Sequence, residues 1–246
     1  MENPLRYNIA TRYRQKIIFS LIKPKKKDAL LDVGCGTGYM ASLLSKKCQV
    51  YGIDNDAKSI RLAKKIGGKN TTFLVASALK IPFKSNKFNY VISSEVIEHV
   101  QDDSSFMKEI VRVTKKNGTI IVTTPSLEGL FKVSNTCHEH GTERHFKEGY
   151  KEKDIVELFQ NHGCKVEKIK YSMIFFTQIL INLVKIAYSI KEPSYKRQSD
   201  IIKVQESIIF KIYKSLFFIQ LLFMYLDCFL SLFMKGSNIL VLAKKK

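Results

Sequence analysis

Between Asp28 and Thr124 the chain alternates short apolar runs with stretches of helical spacing. Ala29–Val33, Gln49–Ile53, Thr72–Val75, Phe88–Ser93 and Thr119–Thr124 read as buried strands. Tyr39–Lys47 and Lys58–Ile66 have helical periodicity, the second closing at Gly67 and Gly68. Phe106, Ile110 and Val113 recur at helical spacing, with Lys115 and Lys116 expected in the last turn and Gly118 as the stop. Strands joined through helices pair in parallel, so the pattern predicts an α/β fold with a doubly wound, mostly parallel sheet.

Beyond Pro125 a polar stretch, Cys137–Lys153, precedes a helix at Lys153–Asn161 and a further strand at Cys164–Tyr171. Two apolar segments follow, Met173–Ile190 and Ile208–Met234, separated by a polar linker at Lys191–Lys203; a last strand closes the chain at Asn238–Ala243. In the first segment Gln178, Asn182, Lys185 and Ser189 fall on one helical stripe; in the second Gln220, Asp227 and Ser231 do. The longest uncharged run of the second segment, Ser215–Leu226, falls short of the roughly 20 residues a spanning helix needs. Two amphipathic helices at a bilayer interface fit this pattern, with the nearby lysines favouring an anionic leaflet. The same faces also suit a lid over the sheet or a homodimer contact. The chain therefore divides into a main domain, 1–172 with 236–246, and a helical insertion, 173–235.

The 246 residues carry 41 Lys and Arg against 22 Asp and Glu, a net charge of +19, spread along the chain rather than gathered in one tail. Such a surplus suits an anionic surface or substrate, or simply lysine-rich solvated faces. The five cysteines include no CxxC pair, which excludes a zinc knuckle and a disulfide framework. Near the start only Ile17–Ile22 is apolar, too short for a secretory core, so a cytoplasmic protein is expected, at most peripheral on the inner face of the membrane.

The segment with chemistry is Leu31-Asp32-Val33-Gly34-Cys35-Gly36-Thr37-Gly38, directly after the first strand and opening a helix. Glycines there allow close approach of backbone to a ligand at the carboxyl end of that strand. A dinucleotide fingerprint needs its third glycine where Tyr39 stands, and no P-loop sequence is present. Asp54, at the end of the second strand, suits two ribose hydroxyls. A tight structural turn is the alternative for the glycines alone.

Asp32–Gly38, Asp54, Ala76-Ser77-Ala78, Ser94–Val100 and Lys116-Asn117-Gly118 together resemble the class I S-adenosylmethionine-dependent methyltransferases. Glu95–Val100 is similar to the branch containing ubiquinone and menaquinone biosynthesis methyltransferases. The resemblance covers about Asp28–Tyr171, and the closing strand is similar to the antiparallel last strand of that seven-stranded Rossmann-like fold. It implies S-adenosylmethionine as cofactor. By the same resemblance, Asp32 belongs to the cofactor loop, and Gly34, Cys35, Gly36 and Gly38 line the methionine moiety. Asp54 holds the ribose, with Asn55 beside the adenine. Ser77 and Ala78 approach the adenine edge, and Glu95 faces the sulfonium. Ser77 departs from the aspartate frequent in the family, which points to a weaker or backbone-made adenine contact.

The methyl of such a donor is already activated, so the protein chiefly aligns it and supplies a base if the acceptor is a hydroxyl. His99 and His145 are the candidate catalytic residues, with Tyr150 a further acceptor-side candidate; for His99 a structural role in bracing its loop stays open. His138, Glu139, His140, Glu143 and His145 form a cluster whose loop setting leaves its geometry unconstrained, and no metal is assigned. The expected reaction is methyl transfer, with O-methylation favoured, to a small or lipid-linked acceptor. A non-catalytic, membrane-associated binding protein is one alternative. A nucleic-acid methyltransferase is another, disfavoured because Ser93-Ser94-Glu95-Val96 replaces the Asn/Asp-Pro-Pro-Tyr-like segment of the amino-group enzymes and no proline precedes a cysteine.

Overall fold

A computed structural model describes residues 8–130, 146–191, 211 and 214–246. The His138–His145 cluster and nearly all of the polar linker lie outside the described residues. Seven strands form one sheet: β1 (Ala29–Val33), β2 (Gln49–Asp54), β3 (Thr71–Val75), β4 (Phe88–Ser94), β5 (Thr114–Pro125), β6 (Cys164–Ser172) and β7 (Asn238–Lys245). Their order is β3-β2-β1-β4-β5-β7-β6. The first four pairings are parallel; β7 runs antiparallel to both β5 and β6. The chain moves outward from β1 in one direction through β2 and β3, then returns to the other side of β1 with β4. That reversal leaves a crevice at the carboxyl ends of β1 and its neighbours, where sheets of this kind bind ligands.

The helices of the main domain are α1 (Ile9–Leu21), α2 (Tyr39–Leu44), α3 (Ala57–Ile66), α4 (Asp103–Val113) and α5 (Glu152–Asn161). Each buries the face its periodicity marks: Ile60 and Ala63 of α3 pack on one side of the sheet, Phe106, Ile110 and Val113 of α4 on the other. Full burial of each large side chain stabilises the fold by about 1.5–3 kcal/mol. Asp56 caps α3 by accepting from the amides of Lys58 and Ser59, and Asp102 caps α4 by accepting from that of Ser105.

Several segments differ from the sequence expectation; the helix expected over Tyr39–Lys47, for one, ends at Leu44. The fourth helix ends at Val113, and Lys115 and Lys116 belong to β5. The Thr114 hydroxyl donates to the Ile110 carbonyl at 2.6 Å, and Asn117 takes a positive φ of 60°. The pairing with β4 therefore jumps from Phe88–Thr114 to Tyr90–Thr119 across an irregularity. The segment near the start, read only for a targeting signal, is a complete helix: α1 is capped by Asn8, whose side chain accepts from Thr11 N, and it buries Ile9, Tyr13 and Ile18.

The insertion contributes α6 (Phe176–Lys191) and α7 (Phe217–Leu230). Asp227 of α7 is fully buried at the start of α6, accepting from the amides of Ile174, Phe175, Phe176 and Thr177 and from the Thr177 hydroxyl. An anion satisfies the unpaired amides of a helix N-terminus and complements its dipole. Ile9 and Tyr13 of α1 pack with Met224 of α7, so the insertion and the first helix share a small core.

Candidate functional site

A cleft of about 720 Å³ opens at the carboxyl ends of β1, β2 and β4. Asp32, Gly34, Cys35, Asp54, Asn55, Ser77, Ala78, Glu95 and His99 all line it. Gly36 and Gly38 shape the loop without lining the cleft, and His145 lies outside the described residues.

The loop after β1 is held at its base by the Ile53 carbonyl, which accepts from both Gly34 N (2.8 Å) and Cys35 N (2.9 Å). Gly34 has φ +71°, and a Cβ there would lie 2.2 Å from Val96 Cγ2. At Gly38, φ +75°, a Cβ would meet Ala63 and Phe73. Both glycines are required by the backbone conformation and by close packing, whatever binds beside them.

Asp54 has a double role. Its Oδ2 accepts from Gly36 N at 2.8 Å and its Oδ1 from Asp56 N at 2.9 Å, tying the glycine loop to the end of β2. Each oxygen keeps further acceptor capacity for a ligand hydroxyl. Burial raises its pKa, opposed by these amide donors. Asp32 lies deeper, fully buried, and its Oδ2 has no hydrogen-bond partner among the described residues. Burial, with the nearby Asp54 charge second, pushes its pKa up to about 8. An unsatisfied buried carboxyl facing a cleft fits a cationic or hydrogen-donating ligand group, such as the ammonium of S-adenosylmethionine. The donor set otherwise suits a nucleoside without phosphate: no lysine lines the cleft, and Arg14, which does, is directed at Glu95.

The loop after β3 forms another side of the cleft through Ala76, Ser77, Ala78 and Leu79. Ser77 Oγ accepts from Leu79 N at 3.1 Å, so the serine that replaces the family's frequent aspartate builds its own turn. Arg112 braces this loop from α4, donating to the carbonyls of Ile81 and Phe83, and Glu109 accepts from Ile81 N. Leu79 adds an apolar contact that the sequence did not single out.

Glu95 has φ +59° and lies where β4 turns into the Ile97–His99 turn of 3-10 helix. Its Oε1 accepts from Asn238 Nδ2 (2.7 Å) and Thr123 Oγ1 (3.0 Å), and its Oε2 lies 3.6 Å from Arg14 Nη1. Strands β5 and β7 and helix α1 thus converge on one carboxylate. Glu98 is buried behind it, accepting from Thr124 Oγ1; burial and the adjacent Glu95 raise its pKa. Tyr150 is not brought to the cleft. It lies against Asp103, to which its hydroxyl donates at 3.1 Å, and Phe146 from the same segment lines the cleft instead.

Helix α1 supplies Thr11, Arg14, Gln15 and Ile18 to the cleft wall, all missed in the sequence. The signal was present: Asn8 as cap, then Ile9, Tyr13 and Ile17 at intervals of four.

Known proteins share the sequence pattern of this domain and its fold. A family model described as a methyltransferase domain matches residues 24–174. The ubiquinone biosynthesis O-methyltransferase of Pelagibacter ubique is 37% identical over 106 residues, covering 42% of this chain and 44% of that protein. The chain thus spans under half the length of that relative. Among solved structures, a putative methyltransferase from Bacillus halodurans aligns at TM-score 0.62 and 17% identity, covering 94% of this chain and 98% of that one. Phosphoethanolamine N-methyltransferase 2 of Haemonchus contortus, solved with S-adenosylmethionine, aligns at 0.60 and 20% identity, covering 94% and 52%. These structural likenesses show a shared fold. Its sequence over 24–174, with the glycine loop and Asp54 set at the crevice of this sheet, places the chain in the methyltransferase domain family, of the S-adenosylmethionine-dependent class.

Proposed function

We propose that the protein transfers a methyl group from S-adenosylmethionine to an oxygen of a small or lipid-linked acceptor. The observation that carries this reading is the buried Asp32 with an unused oxygen, in the same cleft as Asp54 and the loop of Gly34 and Cys35. Asp32 would hold the ammonium, Asp54 the ribose hydroxyls, and Asn55, Ser77 and Ala78 the adenine side. When bound, the donor supplies a methyl already activated by its sulfonium. Glu95, immobilised by Asn238, Thr123 and Arg14, presents a fixed negative charge to the reacting end of the cleft without reorganisation. His99 is the group in the cleft suited to take the proton of an acceptor hydroxyl. The name of the Pelagibacter relative, an O-methyltransferase of ubiquinone biosynthesis, supports an oxygen acceptor and a lipid-linked one. Division of the chain into a catalytic domain, 1–172 with 236–246, and an inserted helical unit, 173–235, belongs to the same proposal, as does a peripheral position on the cytoplasmic face of the membrane.

The test combines calorimetry and turnover. The full chain should bind S-adenosylmethionine and release S-adenosylhomocysteine when given a quinol or catechol acceptor. Asp54→Asn should weaken donor binding at least tenfold, since hydrogen bonds to a charged group contribute about 1.5–3 kcal/mol each. Because Asp54 also ties down Gly36, thermal unfolding of the variant must be followed alongside. Wild-type protein that gives no heat with the donor at high concentration refutes the site. Donor binding without product on any hydroxyl acceptor favours the non-catalytic alternative.

A further inference from the structure

We propose that the outer face of α7 docks onto an anionic lipid surface, with the helix lying in the plane of the interface. The face is defined by spacing. Phe218, Leu222, Tyr225, Phe229 and Leu232 follow one another at intervals of four and three, all exposed, and Phe233 extends the row. Phe218 is 81% exposed and Phe233 74%. The opposite stripe, Gln220, Met224 and Asp227, points into the protein, with Asp227 fully buried.

This helix is inside-out. Its carboxylate and amide are turned inward at the cost of desolvation, offset at Asp227 by the amides that start α6. Its aromatic and aliphatic side chains are turned to the surroundings. A contiguous apolar row of this length marks an interaction surface. The 14 residues of α7 extend about 21 Å, and no helix among the described residues is long and apolar enough to cross a membrane. A short helix with one wholly apolar face lies along an interface instead of spanning it.

Charge selects the occupant. From Lys211 to Lys235 the only acidic residue is Asp227, which is buried. Lys211 and Lys214 are exposed ahead of the helix; Lys235, just beyond it, is ion-paired with Glu128 and Glu152 and is not part of the cationic rim. From α1, the Arg12 guanidinium lies 4.6 Å from the Phe217 ring centroid and the Lys16 ammonium 3.5 Å from that of Tyr225. The apolar row is thus bordered by Lys211, Lys214, Arg12 and Lys16, and the one acidic side chain of the segment from Lys211 to Lys235, Asp227, is buried. A second copy docked through the same face would bring two cationic rims together. Anionic headgroups neutralise the rim while acyl chains receive the row. Helix α1 also forms a wall of the cleft through Arg14, Gln15 and Ile18, so one helix links the docking face to the site. The docking stands independently of the acceptor's identity.

The chain contains no tryptophan, so Phe229→Trp introduces a single reporter on the docking face. With full-length protein and vesicles of phosphatidylglycerol and phosphatidylcholine, its emission should shift to the blue and be quenched by brominated acyl chains. Partitioning should fall at least tenfold on purely phosphatidylcholine vesicles, with Lys211→Ser and Lys214→Ser combined, or with Phe218→Ser and Phe233→Ser combined. Calorimetric binding of S-adenosylmethionine should be unchanged in all these variants, which keeps failure of docking distinct from failure of the cofactor site. No spectral change with anionic vesicles overturns the proposal. So does a reporter already shielded from aqueous quencher in vesicle-free protein, whether in a dimer, where a second copy is the occupant, or in a monomer, where another part of this chain covers the face.

Discussion

Gly34→Ala tests whether the glycine loop after β1 is shaped by packing. Two costs arise in the structure. A residue with a side chain at φ +71° pays roughly 1–2 kcal/mol for the left-handed conformation. The new methyl also lies 2.2 Å from Val96 Cγ2, an overlap that must be relieved by moving Val96, and overpacking of this kind costs about 1–3 kcal/mol. The single variant should therefore lose about 2–5 kcal/mol in urea unfolding. Val96→Ala removes the offending methyl and leaves Cβ at 3.5 Å, an ordinary contact. The double variant should recover the overlap cost and keep the conformational one, giving a favourable coupling energy of about 1–3 kcal/mol. Val96 lines the cleft, so calorimetry with S-adenosylmethionine should show weaker binding in the single variant and partial recovery in the double. Additivity of the two substitutions within about 0.5 kcal/mol would refute the reasoning, because neighbours in steric conflict cannot act independently.

Stability should also depend on pH through Asp32. Its folded pKa of about 8 lies above the ordinary value of 3.8, so between those limits the folded state holds a proton that the unfolded chain has lost. The contribution is fully present below about pH 4 and is lost as pH rises through 8, at no more than about 1.4 kcal/mol per pH unit. Urea midpoints of wild type and Asp32→Asn across this range check it; Asp32→Asn should flatten the dependence, and an unaltered slope would show that other groups set it. Asp227→Ala should cost about 3–5 kcal/mol by orphaning the amides at the start of α6. Hydrogen exchange should then accelerate in α6 and α7 before the sheet; uniform protection throughout would contradict the anchoring role.

The cleft was legible to the extent that its residues follow strands directly. Asp32, Gly34, Cys35, Asp54, Ser77 and Glu95 each sit at or just past a strand end, and a parallel sheet gathers all such ends on one edge. Arg14 and Asn238 were not legible, because their relation to Glu95 spans long sequence separations that no local pattern records. Tyr150 misled for the opposite reason: it lies close in sequence to Phe146, but only Phe146 reaches the cleft while Tyr150 turns to Asp103.

By itself the sequence determined the succession of strands and helices, the glycine loop and the presence of two polar stripes in the insertion, since periodicity and backbone permissiveness are local properties. Tertiary structure alone decided that β7 inserts between β5 and β6, that α1 walls the cleft, and that the polar stripe of α7 faces inward. A hydrophobic pattern specifies that a face is distinct but not what it meets. In α7 the amides that begin α6 claim Asp227, and the apolar row is left on the outside.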